Sequence, residues 1–319
     1  MNYLRDYREG QKFYGTYLCK QKQILKTKAG KTYYSLILQD KTGTADAKIW
    51  ELNMGIADFE AMDYIHCEGT VTSFQGNLQM NISRVRLSDE GEYNPADYVP
   101  CSEKDIPDMY GQIMKYVASV RNPYLKQLLE MYFVQDKEFI SAFQKHSAAK
   151  SVHHSFMGGL LEHTLGVTNL CQYFADHYPM IHRDLLITAA LFHDIGKIRE
   201  ISGFPANDYT DDGQMLGHIY IGARSLEDSI GTISGFPPKL KNELIHCILS
   251  HHGKLEFGSP KVPAIMEAMA LHMADNADAK LETLTEVFNQ AGDNTGWLGY
   301  NRMFESNLRK TSDERDGHE

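Results

Sequence analysis

Residues 189–197 read AALFHDIGK, a stretch that sets a histidine and an aspartate at the end of an apolar run. The run from Leu185 to Phe192 is almost entirely apolar, which predicts a buried helix. His193 and Asp194 follow that helix directly, where an unpaired polar group costs about 2 kcal/mol or more. These two side chains therefore need a compensating partner, and a metal ion is one such partner.

Other polar side chains also lie in, or at the end of, predicted apolar helices. They are His163, His218, His251, His252 and Asp275. A single buried histidine is more often a hydrogen-bonded core residue than a ligand, but this group spans several predicted helices. Metal coordination compensates all of its members at once, and imidazoles with carboxylates suit Mn, Fe, Co or Zn rather than Ca or Mg. The sequence therefore predicts a divalent transition-metal centre, with Mn as the favoured ion.

The order H…HD…H…HH…D, with HDIGK in full, resembles the HD superfamily of helical phosphohydrolases. The flanking text resembles a narrower group, the YhaM family of 3′-5′ exoribonucleases, which also carry an N-terminal OB domain. Five blocks carry this resemblance: GGLLEHTLGV (158–167), LFHDIGKIRE (191–200), YTDDGQMLGHI (209–219), LSHHGKLEFGSP (249–260) and EAMALHMADNADAKL (267–281). The resemblance covers nearly the whole chain.

The resemblance implies that the ligands divide between two metal ions. The ligands of one ion would be His163, His193, Asp194 and Asp275. A second ion would be supported by His218 and His251, with His252 as a further candidate and Asp194 as the bridge. If only one ion binds, His218 and His251 would instead face the phosphate or the leaving group.

Asp194 and Lys197 are the residues that we assign to the chemistry. One carboxylate can join metals about 3.5 to 4 Å apart, and such metals neutralise a phosphodiester and lower the pKa of water. Lys197 lies four residues beyond His193, so on a continuing helix it would share that face and stabilise developing charge. The alternative is that Lys197 has no part in the chemistry and lies at a helix C-terminus because the helix dipole favours a cation there. We expect Gly196 to end the helix.

Weaker candidates for substrate contact lie near the motif blocks. His154 precedes the first block, and a solvated position at the start of a helix is an equal alternative for it. Glu256 and Ser259 are candidates for contact with phosphate or sugar, with a structured turn as the alternative. Asp278, one turn past Asp275, is expected to support a ligand or to face solvent.

The first 90 residues have a different character. Short runs rich in Tyr, Ile, Val and Thr, broken by Gly and Asp, predict five strands. The predicted strands are 13–26, 32–39, 44–50, 64–74 and 77–87, with a short helix near Met54 to Ala61. Five strands with a helix between the third and fourth resemble an OB-fold barrel.

OB barrels bind single strands through aromatic platforms and a basic groove. The candidates here are Lys20, Lys22, Lys28, Tyr33 and Trp50. The alternative is that the aromatic residues fill the barrel and the lysines only keep it soluble. The net charge of −10 speaks against non-specific binding to nucleic acid. However, residues 1–95 hold 12 Lys and Arg and 12 Asp and Glu, so the acidic excess lies in the later part.

The sequence therefore predicts a multidomain α and β protein. We expect an OB-fold nucleic-acid-binding domain at 1–90, a linker and helical segment at 91–150, an all-α HD domain at 151–295 and a C-terminal tail at 296–319. Disorder is expected for the polar end of this tail, Lys310 to Glu319. No apolar run is long enough to cross a bilayer, and neither a signal peptide nor a disulfide pattern is evident. A cytoplasmic protein that does not associate with membranes is expected, and a homo-oligomer is left open.

The leading hypothesis is a metal-dependent 3′-5′ exoribonuclease. It would hydrolyse single-stranded RNA, with single-stranded DNA as a further substrate, and release 5′-mononucleotides. One alternative is an HD nucleotidase or cyclic-dinucleotide phosphodiesterase, which the strand-binding OB domain disfavours. The other is a non-catalytic nucleic-acid-binding factor, which the intact ligand set disfavours.

Overall fold

The computed structural model of the chain describes residues 3–74, 77–150 and 154–312. These residues form two compact units. One unit runs to Glu103 and includes Ser202–Asp208, and the other begins at Lys104 and holds the rest. Within the described ranges, no helix is both long enough and apolar enough to cross a membrane.

A closed barrel of five strands forms the centre of the first unit. The strands are β1 (Lys12–Lys26), β2 (Thr32–Asp40), β3 (Gly43–Ile49), β4 (Tyr64–Phe74) and β5 (Asn77–Leu87). Their order is β1-β2-β3-β5-β4, closed by the antiparallel pairing of β1 with β4, and only β3 and β5 run parallel. A bulge between Cys19 and Gln21 bends β1 where it passes from one partner to the other. The predicted five-stranded OB-like barrel is confirmed, each strand to within one residue.

The helix predicted near Met54 to Ala61 is wrong. The backbone of this segment instead pairs with β5, because Val85 N donates to Gly55 O and Ala57 N donates to Val85 O, both at 2.9 Å. Phe59 then enters the barrel core, where 2% of its surface is exposed. A strand edge that needed hydrogen-bond partners outweighed the local helical pattern.

The second unit is helical. Its helices are α1 (Ile106–Ser119), α2 (Pro123–Glu130), α3 (Lys137–Lys145), α4 (Gly159–His177), α5 (Arg183–Phe192), α6 (Lys197–Glu200), α7 (Asp211–Gly231), α8 (Pro238–Ser250) and α9 (Met266–Gln290). Helix α5 is buried along all of Leu185–Phe192, as a continuous apolar run requires. Helices α4, α8 and α9 pack around α5 in one core. The all-α HD-type domain is confirmed.

The C-terminal segment 296–319 contains two short strands that the sequence did not predict. Residues Trp297–Asn301 form β6 and Ser306–Arg309 form β7, which pair as an antiparallel hairpin. Both strands are largely exposed, so backbone hydrogen bonds rather than an apolar face define them. Without apolar alternation the sequence carried little strand signal. Disorder was expected for residues 310–319, of which 313–319 lie outside the described residues.

Candidate metal centre

His193 and Asp194 lie where α5 ends, and both side chains are buried, at 0% and 2% exposure. The prediction that Gly196 ends this helix is wrong, because α5 ends at Phe192 and Gly196 precedes the first residue of α6. A Cβ atom on Gly196 would lie 2.0 Å from the carbonyl oxygen of His218. The glycine therefore allows α7 to approach α6 closely, and this approach brings His218 to the centre.

Four of the candidate ligands converge on one point. Nε2 of His163 lies 3.1 Å from Oδ1 of Asp275, 3.3 Å from Nε2 of His193 and 3.5 Å from Oδ2 of Asp194. Oδ2 of Asp194 also lies 3.3 Å from Nε2 of His193. Helices α4 and α9 and the two residues directly after α5 supply these side chains. Two imidazole nitrogens and two carboxylates around one point form a suitable ligand set for a transition metal.

The other oxygen of Asp194 faces a second group. Oδ1 lies 3.5 Å from Nε2 of His218 and 3.7 Å from Nε2 of His251, and His252 groups with these two histidines. Oδ1 and both of these Nε2 atoms are buried and have no hydrogen-bond partner among the described residues. Three unpartnered polar atoms that face one another would be costly without a bound cation. The second group therefore fits a metal ion on the evidence of its own atoms.

All five imidazoles are oriented from behind by an oxygen next to Nδ1. Three of them donate from Nδ1 to a backbone carbonyl oxygen: His193 to Ala190 O at 2.8 Å, His251 to Ile248 O at 2.7 Å and His252 to Phe257 O at 2.8 Å. The other two donate from Nδ1 to a carboxylate: His163 to Asp278 Oδ2 at 2.7 Å and His218 to Glu200 Oε1 at 2.9 Å. A proton held on Nδ1 leaves Nε2 as the lone-pair donor, and every Nε2 belongs to the two groups.

Glu200 is a residue of the centre that the sequence did not predict. Its Oε1 accepts from both the backbone N and the Nδ1 of His218, each at 2.9 Å. Gly217, at φ +73°, breaks the helical path of α7 and turns the next residue toward this carboxylate. The sequence signal for Glu200 was its place, as an acidic residue, in the LFHDIGKIRE block. The contact itself depends on the kink in α7.

Charge within the centre is balanced by Lys197, whose Nζ lies 2.7 Å from Oδ2 of Asp194. Burial alone would raise the pKa of Asp194, but Lys197 and His193 hold it well below its usual range. Burial alone would lower the pKa of Lys197, but Asp194 raises it. The route predicted for Lys197, a continuing helix, is wrong, because it begins the separate helix α6. It nevertheless reaches the centre.

The histidines themselves are affected differently. Burial alone would lower the pKa of His163, but its bonds to Asp275 and Asp278 raise it to about 9. Burial lowers the pKa of His251 and His252. Before a metal binds, His163 thus favours a protonated ring, whereas His251 and His252 favour neutral rings.

A cavity of about 320 Å³ opens beside the two groups. It is lined by His163, His218, His252 and Asp275 of the metal groups and by Lys197. Tyr209, Phe257 and Asn276 also line it. The cavity gives a small anionic substrate access to both groups and to the lysine.

The weaker candidates lie elsewhere. His154 is buried and its Nε2 lies 3.2 Å from Oδ2 of Asp278, so it belongs to the support of His163. Glu256 is 67% exposed and pairs with Lys254 at 3.2 Å. Ser259 is buried, with no hydrogen-bond partner for its Oγ among the described residues. These three residues are not among those that line the cavity.

On the barrel, Tyr33 stacks on Trp50 with ring centroids 4.6 Å apart and planes 26° apart. Trp50 keeps 41% of its surface exposed, and Lys20 and Lys28 are exposed. Lys22 does not fit the predicted basic groove, because its side chain is 6% exposed. Its ammonium donates to the carbonyl of Phe59 and lies 3.4 Å from a carboxylate oxygen of Glu60.

Comparisons with known proteins agree with this picture. The HD domain family matches residues 160–280. A protein described as 3′-5′ exoribonuclease YhaM from Geobacillus sp. (strain WCH70) is 33% identical over 82% of this chain and 80% of its own length. The protein of that name from Bacillus subtilis (strain 168) is 33% identical over 82% of each chain. That of Shouchella clausii (strain KSM-K16) is 32% identical over 90% of this chain and 89% of its own.

Proposed function

Because this chain belongs to the YhaM family of 3′-5′ exoribonucleases, we propose that it removes 5′-mononucleotides from the 3′ end of single-stranded RNA in a metal-dependent hydrolysis. The observation that carries this proposal is Asp194, whose two oxygens face two separate groups of Nε2 atoms. That arrangement supports two ions with Asp194 between them, and the mixed imidazole and carboxylate set favours Mn.

The bound ions would neutralise phosphate oxygens and acidify the attacking water. The residues of the chain hold the rest of the reaction in place. Lys197 keeps Asp194 ionised and lines the cavity, so its ammonium can stabilise charge that develops on the phosphoryl group. Glu200 and Asp278 fix the rings of His218 and His163 in the tautomer that presents Nε2 to the ions.

We propose that the barrel holds the RNA strand on the Tyr33 and Trp50 pair, with Lys20 and Lys28 near its phosphates. A stacked aromatic pair that is partly exposed provides the platform that single-stranded nucleic acid requires. All five cysteines of the chain are free, which supports the proposal of a cytoplasmic enzyme. A homo-oligomer stays a prediction.

The proposal is tested with purified protein, Mn²⁺ and a 5′-labelled single-stranded RNA. The matched control is Asp194→Asn, which keeps the size of the side chain but removes its charge. We expect a ladder that shortens from the 3′ end with wild-type protein only, and thermal unfolding shows whether the variant is folded. Intact RNA with Mn, Co, Fe and Zn would reject the exonuclease, and turnover of a cyclic dinucleotide or nucleotide alone would favour the alternative enzyme.

A further inference from the structure

Two aromatic rings line the metal cavity without serving the core. Tyr209 and Phe257 share the cavity with His218, His252 and Asp275. The two residues keep 45% and 56% of their surface exposed. Rings that only filled the interior would be buried like Phe192 at 0%. Apolar surface exposed beside a polar cluster indicates a ligand with an apolar face.

The backbone holds the Tyr209 ring close to the centre. Tyr209 forms a β-bridge with Ile201, the residue that follows α6. The next residue, Thr210, donates from its N to Glu200 O at 2.9 Å, and its side chain caps α7. Tyr209 is therefore anchored between α6, which begins with Lys197, and the start of α7.

Phe257 is tied to the other side of the centre. Its carbonyl oxygen accepts from Nδ1 of His252 at 2.8 Å. Its amide donates to Lys254 O at 3.1 Å within a single 3₁₀ turn. Phe257 therefore has two roles: its ring lines the cavity, and its carbonyl orients the imidazole of the candidate ligand His252.

A lysine ammonium lies over each ring. Nζ of Lys150 lies 5.8 Å from the Tyr209 ring centroid, and Nζ of Lys254 lies 5.1 Å from that of Phe257. Aromatic faces bind nucleobases and ammonium groups bind phosphates, which are the two alternating parts of a nucleic acid strand. A phosphodiester without a base would use the lysines and the metals but not the rings.

We propose that Tyr209 and Phe257 are stacking surfaces for the nucleobases at the end of the strand, with Lys150 and Lys254 beside the flanking phosphates. The inference rests on the proposed function and deepens it, because it makes the base itself a recognised part of the substrate. The cavity of about 320 Å³ lies at the small end of ligand sites, which suits one nucleotide better than a duplex.

The test compares two ligands that differ only in the base, uridine 5′-monophosphate and ribose 5-phosphate, bound to Mn²⁺-loaded protein and followed by calorimetry. Tyr209→Leu and Phe257→Leu keep an apolar side chain but lose the aromatic face. Each should weaken binding of the nucleotide about tenfold, or about 1.4 kcal/mol, and leave ribose 5-phosphate unchanged. Tyr209→Phe and Phe257→Tyr should bind the nucleotide like wild type.

Tyr178→Leu is the matched control, because Tyr178 is 54% exposed and lines a different groove. Unchanged nucleotide affinity in both Leu variants, or an equal loss for both ligands, would overturn the inference. The RNA ladder separates this result from the proposed function. Wild-type protein that shortens RNA while the Leu variants bind normally rejects only the stacking role. Selective loss of the nucleotide in a protein that leaves RNA intact rejects only the exonuclease.

Discussion

Nδ1 of His163 lies 2.7 Å from Oδ2 of Asp278, a residue one helical turn beyond the candidate ligand Asp275. Helix α9 thus supplies both a carboxylate that faces the metal group and one that stands behind a histidine of that group. Oδ2 of Asp278 also lies 3.2 Å from Nε2 of His154. Burial alone would raise the pKa of Asp278, but its bonds to the two histidines lower it to about 2. The carboxylate therefore stays ionised at any working pH.

Replacement of Asp278 by Ala should weaken metal binding by about 10- to 100-fold, because His163 loses the acceptor that fixes its ring. Asp278→Asn keeps an oxygen acceptor and should lose less. Asp176→Asn, an exposed position on α4, is the control. The measurement is metal affinity by competition with a fluorescent chelator. Equal affinities for Asp278→Ala and wild type would show that the contact does not orient the ligand.

Metal binding at pH 7 should release about one proton, because the pKa of His163 is raised to about 9 and a metal must displace its second proton. Below pH 9 the His163 ring is protonated, and this proton competes with the metal. Apparent affinity should therefore rise about tenfold per pH unit from pH 7 to 9 and then level off. Calorimetry in buffers of different ionisation enthalpy counts the proton. Affinity that is flat over this range would contradict the prediction.

Glu200→Ala should weaken binding of the ion in the second group more than binding of the ion in the first group. The side chain holds His218 at two atoms, and His218 belongs only to the second group. At limiting Mn²⁺ we expect the metal content to fall from about two ions to about one, with the first group intact. Glu200→Gln, which keeps an acceptor oxygen, is the control. Metal analysis after gel filtration decides, and two ions in the Ala variant would count against this assignment.

Gly196→Ala should destabilise the helical unit by about 1–3 kcal/mol, because the added Cβ would lie 2.0 Å from His218 O. Gly111→Ala is the matched control. No atom lies within 4 Å of a Cβ there, and Gly111 is within α1, so alanine should stabilise by about 0.5–1 kcal/mol. Urea unfolding followed by circular dichroism measures both. Equal stability of the two variants would remove the packing argument.

RNA should quench the fluorescence of Trp50 if the barrel platform binds bases. The chain has two tryptophans, Trp50 and Trp297, so Trp297→Phe leaves Trp50 as the only tryptophan. In the full-length protein, Trp50→Ala should weaken binding of a single-stranded RNA by about tenfold, whereas Trp297→Ala should not. Fluorescence anisotropy of a labelled RNA with Ca²⁺ in place of Mn²⁺ reports the affinity. Identical affinity of both Ala variants would dismiss the platform.

The sequence by itself determined the barrel strands and the candidate ligands. Both signals are local, because strand alternation and the position of a polar residue in a buried helix depend on neighbours along the chain. His163, His193 and Asp275 could be selected because each is a polar residue in, or directly after, an apolar helical run. We inferred that these residues form one metal site because each needs a compensating partner and because of the family resemblance. The structure brings their atoms together.

Only the tertiary structure decided which residues stand behind and beside those ligands. Glu200 reaches His218 because Gly217 kinks α7, and Gly196 is a packing residue because another helix crosses it. The Lys22 side chain is buried, and its ammonium donates to the carbonyl of Phe59. Each of these outcomes depends on residues distant in sequence or on a change of chain direction, which local periodicity does not encode.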